Sequence, residues 1–176
     1  MNHIMLIIAI MTLSLMPLMA KPAPVTTVKS VDMNRYLGLW YQFAYFPNSF
    51  QPKDCGLTTA HYSMGKKNKI VVLNTCYADA EGKTIKRKAT GSAYAVDASN
   101  SKLKVSFFWP FKGDYWIVML DEAGYQYAVV SDPGRKYLWI LTRQRNLDKA
   151  TYQKIESFLR TGGWDLNKLE MTGKLI

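Results

Sequence analysis

Cys55, Cys76 and His61 are where this sequence could hold unusual chemistry, because beyond residue 20 the 176-residue chain has no other cysteine or histidine. A structural zinc ion takes four ligands, and these residues supply three. The chain shows no nucleophile-elbow motif and no glycine-rich phosphate loop, so the usual catalytic groupings cannot be assembled. The expectation is therefore no enzyme, no catalytic residue, no metal and no cofactor. A disulfide is the better reading of the cysteines. The runs "LTTAHYSM" and "KIVVLNTCY" flank the turn signal "GKKN". A hairpin centred between Gly65 and Lys66 sets Cys55 opposite Cys76.

A bridge of this kind persists in an oxidising compartment, and the start of the chain points to one. "MNHIMLIIAIMTLSLMPLMA" (residues 1–20) contains no Lys, Arg, Asp or Glu and ends on Pro17 and the small Ala20. That is the shape of a secretory signal peptide. Cleavage after Ala20 leaves one domain over residues 21–176, periplasmic or extracellular and soluble. Neither cysteine lies near residue 20, so this reading has no acceptor for an amino-terminal lipid anchor.

A composition of 48% apolar and 20% charged residues suits one globular domain with a real core. The net charge is +10. Its lysines and arginines fall in clusters, "KKNK" (66–69), "KTIKRK" (83–88) and "GRK" (134–136), each flanked by strand-like sequence. These read as solvated turns and strand edges, where Lys also blocks edge pairing. The competing reading is peripheral attraction to an anionic membrane or to nucleic acid. The lack of zinc-ligand spacing and of a helix-turn-helix pattern argues against nucleic acid.

The elements that must position these residues are strands. Beside "NRYLGLWYQFAYFP" and the two runs of the cysteine hairpin come "ATGSAYAVD" (89–97), "KLKVSFFW" (102–109), "DYWIVMLD" (114–121), "YQYAVVS" (125–131) and "KYLWILTR" (136–143). All are rich in β-branched and aromatic residues and are separated by short turns. Connections this short force antiparallel neighbours. Eight such strands close into an up-and-down barrel, all-β, with room inside for one small ligand. One helix is expected in "LDKATYQKIESFLRTGG", capped by Asp148, with Tyr152, Ile155, Phe158 and Leu159 on one stripe and Gly162 at its end. A barrel interior is too narrow for it, so it packs on the outer wall. That explains why the first strand is apolar on both faces, with Trp40, Gln42 and Ala44 assigned inward and Tyr41, Phe43 and Tyr45 toward the helix. The last strand divides likewise, Tyr137, Trp139, Leu141 and Arg143 against Leu138, Ile140 and Thr142. The helix is expected over the seam of the first and last strands.

From about Val31 to about Leu169 the chain resembles the lipocalins, and most closely the bacterial lipocalins related to apolipoprotein D. "NRYLGLWY" is similar to the family's Gly-x-Trp motif, carried by Gly38 and Trp40. "VVSDPGRKY" stands where the family has the hairpin between its seventh and eighth strands, and "KVSFFWPFKGDYWIVMLD" looks like the signature of the bacterial branch. Arg143 stands where the resemblance implies an arginine over the tryptophan ring, closing the barrel floor.

The resemblance implies a monomeric or dimeric binder of small hydrophobic ligands such as fatty acids or lysophospholipids; a protein-binding or inhibitory barrel is the alternative. Strand parity assigns Leu103, Val105 and Phe107, then Tyr115, Ile117 and Met119, then Tyr137 and Trp139, to the cavity wall. Trp139 also matches a pocket-lining tryptophan of the bacterial branch. Lys112 is placed on the loop after Phe111 as a partner for an anionic head group.

Overall fold

The computed structural model describes residues 22–66 and 69–176; the leader assigned to residues 1–20 lies outside them. Eight strands follow one another around a closed antiparallel barrel: β1 (Gly38–Tyr45), β2 (Leu57–Met64), β3 (Ile70–Tyr77), β4 (Ile85–Ala95), β5 (Lys102–Phe108), β6 (Phe111–Leu120), β7 (Tyr127–Ser131) and β8 (Leu138–Thr142). Each pairs with the next, and β1 pairs with β8 to close the wall. A one-turn helix α1 (Met33–Tyr36), capped by the Asp32 carboxylate, lies under the barrel just before β1.

Helix α2 (Lys149–Thr161) begins at Asp148, whose side chain accepts the Thr151 amide, and ends at Gly162, as its sequence requires. Ile155 and Leu159 are fully buried against Phe43, Val129, Leu138 and Ile140 on the outer wall. The helix therefore covers the β1–β8 seam and extends across β7. Every residue of β7 is buried, because the strand has the interior on one side and the helix layer on the other.

Tertiary packing shifts four local expectations. The β2–β3 hairpin pairs Leu57 with Tyr77 and Thr58 with Cys76, so Cys55 is not in register with Cys76. The disulfide forms nonetheless, with Cα atoms 5.4 Å apart. The chain turns back at Gly56, where a Cβ would stand 2.6 Å from the Asp79 backbone, and Cys55 is thereby laid beside the end of β3. Strand β4 starts at Ile85, so the basic run Lys86, Arg87 and Lys88 belongs to a strand and not to a turn.

The other two shifts come from β-bulges, which insert a residue and reverse the parity beyond it. The β1–β8 register slips between Gln42 and Ala44, which puts Ala44 beside Phe43 in the outer cluster instead of the interior. Of the three residues assigned to the helix side, Phe43 packs on Tyr152 with ring centroids 6.0 Å apart. Tyr41 lies under the Arg145 guanidinium, and the Tyr45 hydroxyl donates to Glu170. The β6–β7 register slips between Ile117 and Met119. Met119 therefore packs in the outer cluster with Val118, and Leu120 takes the inward place.

Candidate ligand-binding site

The interior is built upward from a closed floor. Gly38 opens β1 at φ +95°, a conformation that disfavours any residue with a side chain, and lets the chain turn from α1 into the wall. Two residues on, Trp40 is fully buried and its Nε1–H donates to the Tyr36 carbonyl at 2.8 Å. The Arg143 guanidinium lies 3.8 Å from the centroid of the Trp40 ring. It also donates to the carbonyls of Arg35, Tyr36, Leu37, Leu39 and Tyr125 at 2.7–3.3 Å. One side chain thus ties α1, β1 and the β6–β7 turn together, and its charge is matched by carbonyl dipoles and a π face.

Above the floor stands a cluster of three tyrosines. The Tyr115 hydroxyl is 2.7 Å from that of Tyr36 and 2.8 Å from that of Tyr62. Burial pushes the Tyr62 phenol up to about 12, and burial raises Tyr36 and Tyr115 well above the ordinary phenol value. All three are neutral near pH 7. Three O–H groups make two mutual hydrogen bonds, which leaves one donor to face another acceptor. Tyr115 lay on the parity-assigned wall; Tyr36 and Tyr62 did not. The signal for Tyr62 was the alternation of Ala60 and Tyr62 against His61 in "LTTAHYSM", while Tyr36 precedes the strand and reaches the interior only through α1.

Leu103 and Ile117 are buried in the interior cluster, and Val105, Phe107, Tyr115 and Trp139 pack against it part-buried. The wall is thus tight near the floor and partly open toward the mouth. Tyr137 and Trp139 stack there with centroids 6.1 Å apart, and Phe50 of the β1–β2 loop lies 5.3 Å from Tyr137. The Trp139 Nε1–H donates to Gln51 at 3.1 Å, and Gln51 donates in turn to the side chain of Gln42 at 2.6 Å. Strand order puts the loop after β1 at the mouth, but nothing periodic in it says that Phe50 and Gln51 are the side chains that turn onto Tyr137 and Trp139.

Lys112 is where the expectation fails most clearly. It lies inside β6 rather than on a loop, and its ammonium sits 3.2 Å from the Tyr94 hydroxyl on the outer face. Asp114, of the same parity, is likewise outside, paired with Lys104 at 2.7 Å. The turn itself is only Trp109 and Pro110, because strand pairing continues to Phe108 and Phe111. Arg135, on the turn between β7 and β8, donates from its guanidinium to the carbonyls of Gly162 and Ala23, outside the barrel. Two hollows lie outside the barrel: one of about 390 Å³ between residues 23–26 and the end of α2, and one of about 820 Å³ beside Arg143 and Arg145.

A family model for the lipocalin-like domain matches residues 31–174. The chain is 35% identical over 163 residues to temperature-induced lipocalin-1 of Arabidopsis thaliana, covering 88% of this chain and 85% of that protein. It is 37% identical over 149 residues to the outer membrane lipoprotein Blc of Vibrio cholerae, with 84% and 85% covered. To apolipoprotein D of Macaca fascicularis it is 32% identical over 151 residues, with 82% and 77% covered. Among solved structures, insecticyanin from the tobacco hornworm superposes with a TM-score of 0.65 at 18% identity, covering 89% of this chain and 92% of that one. With a floor closed by Trp40 and Arg143, an eight-stranded wall and a helix laid over its seam, this chain belongs to the lipocalin family.

Proposed function

We propose that the barrel binds, and carries or stores, one small hydrophobic or amphipathic molecule of the fatty acid or lysophospholipid kind. The observation that carries this reading is the gradient along the interior. Trp40, Tyr36, Leu103 and Ile117 fill the floor without exposure, whereas Val105, Phe107, Tyr115, Tyr137 and Trp139 are only part-buried above them. An acyl chain laid on those upper residues would remove apolar surface from water on both sides of the contact. Each buried methylene contributes about 0.8 kcal/mol, so roughly ten carbons offset the cost of association and leave micromolar affinity.

Two sets of uncharged polar groups lie at this surface. Gln42, Gln51 and the Trp139 indole form one hydrogen-bonded row at the mouth, and the tyrosine cluster offers another set of donors lower down. Either can meet a carboxylate or ester oxygen without requiring a counter-ion. The phenols stay protonated near pH 7, which suits them to binding and not to proton abstraction.

The test is extraction of lipid from the purified protein, with native mass spectrometry of the same sample. A copurified acyl lipid in one-to-one ratio is the expected result. Titration with a long-chain fatty acid should give micromolar binding that Trp139→Ala weakens about tenfold. No bound lipid together with no saturable fatty acid binding would overturn the reading.

A further inference from the structure

Resting on the cavity function proposed above, we infer that Arg87 is the head-group residue of the cavity, so that the bound molecule is an anionic amphiphile whose carboxylate or phosphate oxygens meet the Arg87 guanidinium at the mouth. The register of β4 places this residue. Ile70 pairs with Ala93, Val72 with Gly91 and Cys76 with Arg87. Directly paired residues share a face of the sheet, and so do residues two apart on one strand. Ile70, Val72 and Ala93 belong to the interior cluster, so the inner face of β4 runs Ala93, Gly91, Ala89, Arg87. The register shift between these strands lies beyond Cys76 and leaves that order intact.

Counted from the buried end, Arg87 is the first long side chain on that face. Ala93, Gly91 and Ala89 carry a methyl group or nothing, and the Phe107 ring rests where a Cβ of Gly91 would stand. Six residues separate buried Ala93 from Arg87, a rise of about 20 Å along the strand. A long acyl chain extended upward from the buried end therefore brings its polar group to the level of the guanidinium. That group has room, because the β4–β5 pairing stops at Ser92 opposite Ser106 and β4 is exposed from Ile85 to Thr90.

What Arg87 adds to the mouth is an unmatched charge. Among the described residues no carboxylate lies within ion-pair distance of its guanidinium. Asp54, in the β1–β2 loop, pairs with Lys86 instead. The Asp54 carboxyl is held below its usual range chiefly by the hydrogen bond from Lys86 and least by the charge of Arg87, so Arg87 stands near that loop without being spent on it. The other mouth acids are also committed: Asp79 accepts the amides of Lys83 and Thr84, Asp132 those of Gly134 and Tyr137, and Asp114 pairs with Lys104. Arg145 donates to the carbonyls of Ala80 and Glu81 and stacks on Tyr41, which holds the β3–β4 loop against the outer wall and away from Arg87. A planar guanidinium fork meets two oxygens of one carboxylate or phosphate at once, which makes the ligand's own anion the fitting partner.

Displacement of a fluorescent fatty acid from the purified chain tests this with two matched pairs, oleate against methyl oleate and lysophosphatidylglycerol against monoolein. In at least one pair the wild type should bind the anion about fivefold tighter than its neutral counterpart, the scale of a solvent-screened ion pair. Arg87→Gln should bring the anion down to the affinity of the neutral molecule and leave the latter unchanged, while Arg87→Lys should keep most of the preference. Lys88→Gln removes the same charge from the outer face and should leave the preference intact. Salt at about 1 M should weaken the preference of the wild type and leave Arg87→Gln unaffected. Thermal midpoints of these variants should match the wild type, because the changed side chains are exposed. A preference lost with Arg87 in the oleate pair assigns a carboxylate, and one lost in the lysophospholipid pair assigns a phosphate. The inference is overturned if the wild type distinguishes neither pair, if the preference survives in Arg87→Gln, or if Lys88→Gln lowers it equally. Saturable binding of both neutral molecules with no preference for the anions would leave the cavity function standing alone, whereas no binding of any of the four would remove both.

Discussion

The two ends of the barrel solve opposite problems with the same residue types. At the floor, Trp40 is fully buried, its N–H has a carbonyl, and the one cation on its face also satisfies five backbone oxygens. At the rim, Trp109 is 88% exposed and its neighbours Phe108 and Phe111 stand out beside it. Aromatic content therefore does not distinguish structure from function in this chain. The distinction lies in whether the ring's polar edge and its face have partners within the fold.

The largest effect that can break this comparison is at the floor. Trp40→Ala should destabilise by about 3 to 5 kcal/mol, as buried aromatic truncations do. Arg143→Ala should cost less, about 1 to 2 kcal/mol, by uncovering the Trp40 ring and leaving part-buried carbonyls to water. The two should couple in a double-mutant cycle of denaturant unfolding; strictly additive losses would show that the stacked pair is not one unit.

The tyrosine cluster gives a pH signature of similar size. The Tyr62 phenol lies near 12 in the folded chain and near 10 unfolded. Below about pH 10 both states hold the proton, and stability does not depend on it. Between pH 10 and 12 the unfolded chain releases the proton first, so stability falls, by an amount on the order of 3 kcal/mol for this group. Urea titrations at pH 8, 10 and 12 should show that loss, and Tyr62→Phe should make it shallower by the share of this phenol, while the raised Tyr36 and Tyr115 phenols keep the rest. An unchanged slope in the variant would place the alkaline transition elsewhere.

Opening the Cys55–Cys76 bridge acts between the two ends. Replacing both cysteines by serine should cost about 3 kcal/mol, largely by freeing the unfolded chain across a separation of 21 residues. Denaturation midpoints with and without reductant measure it, and a wild type indifferent to reductant would contradict the bond.

The smallest expected effect sharpens the account of the mouth. Lys112→Ala should change affinity for a long-chain fatty acid and for its methyl ester by the same amount, under about 0.5 kcal/mol, because the ammonium rests on Tyr94 outside the wall. A loss confined to the acid would mean that the lysine reaches over the rim to the head group.

Much of this architecture is local and was legible in the chain. Alternating apolar residues and short turns specify antiparallel strands, Asp148 and Gly162 delimit α2, and the both-face apolar character of β1 and β8 identifies the wall that the helix covers. The Cys55–Cys76 pair was legible because a hairpin brings the two near each other, although not in register, and the floor of Gly38, Trp40 and Arg143 was implied by the family resemblance and not by periodicity. Parity assigned Leu103, Val105, Phe107, Tyr115 and Ile117 to the inner side, and all five lie in or against the interior cluster, although the β5–β6 register shifts between Val105 and Phe108.

Tertiary structure decided the rest, for one physical reason: closing a twisted sheet demands irregularities that no periodic pattern contains. Bulges at Gln42–Ala44 and Ile117–Met119 turned Ala44 and Met119 outward. The β4–β5 pairing stops at Ser92 and Ser106, which leaves Lys86, Arg87 and Lys88 paired with β3 but not with β5. Gln51 met Trp139, and Tyr36 met Tyr115, across separations of 88 and 79 residues. Contacts of that range depend on where the chain returns in space, and the sequence around each partner carries no record of the other.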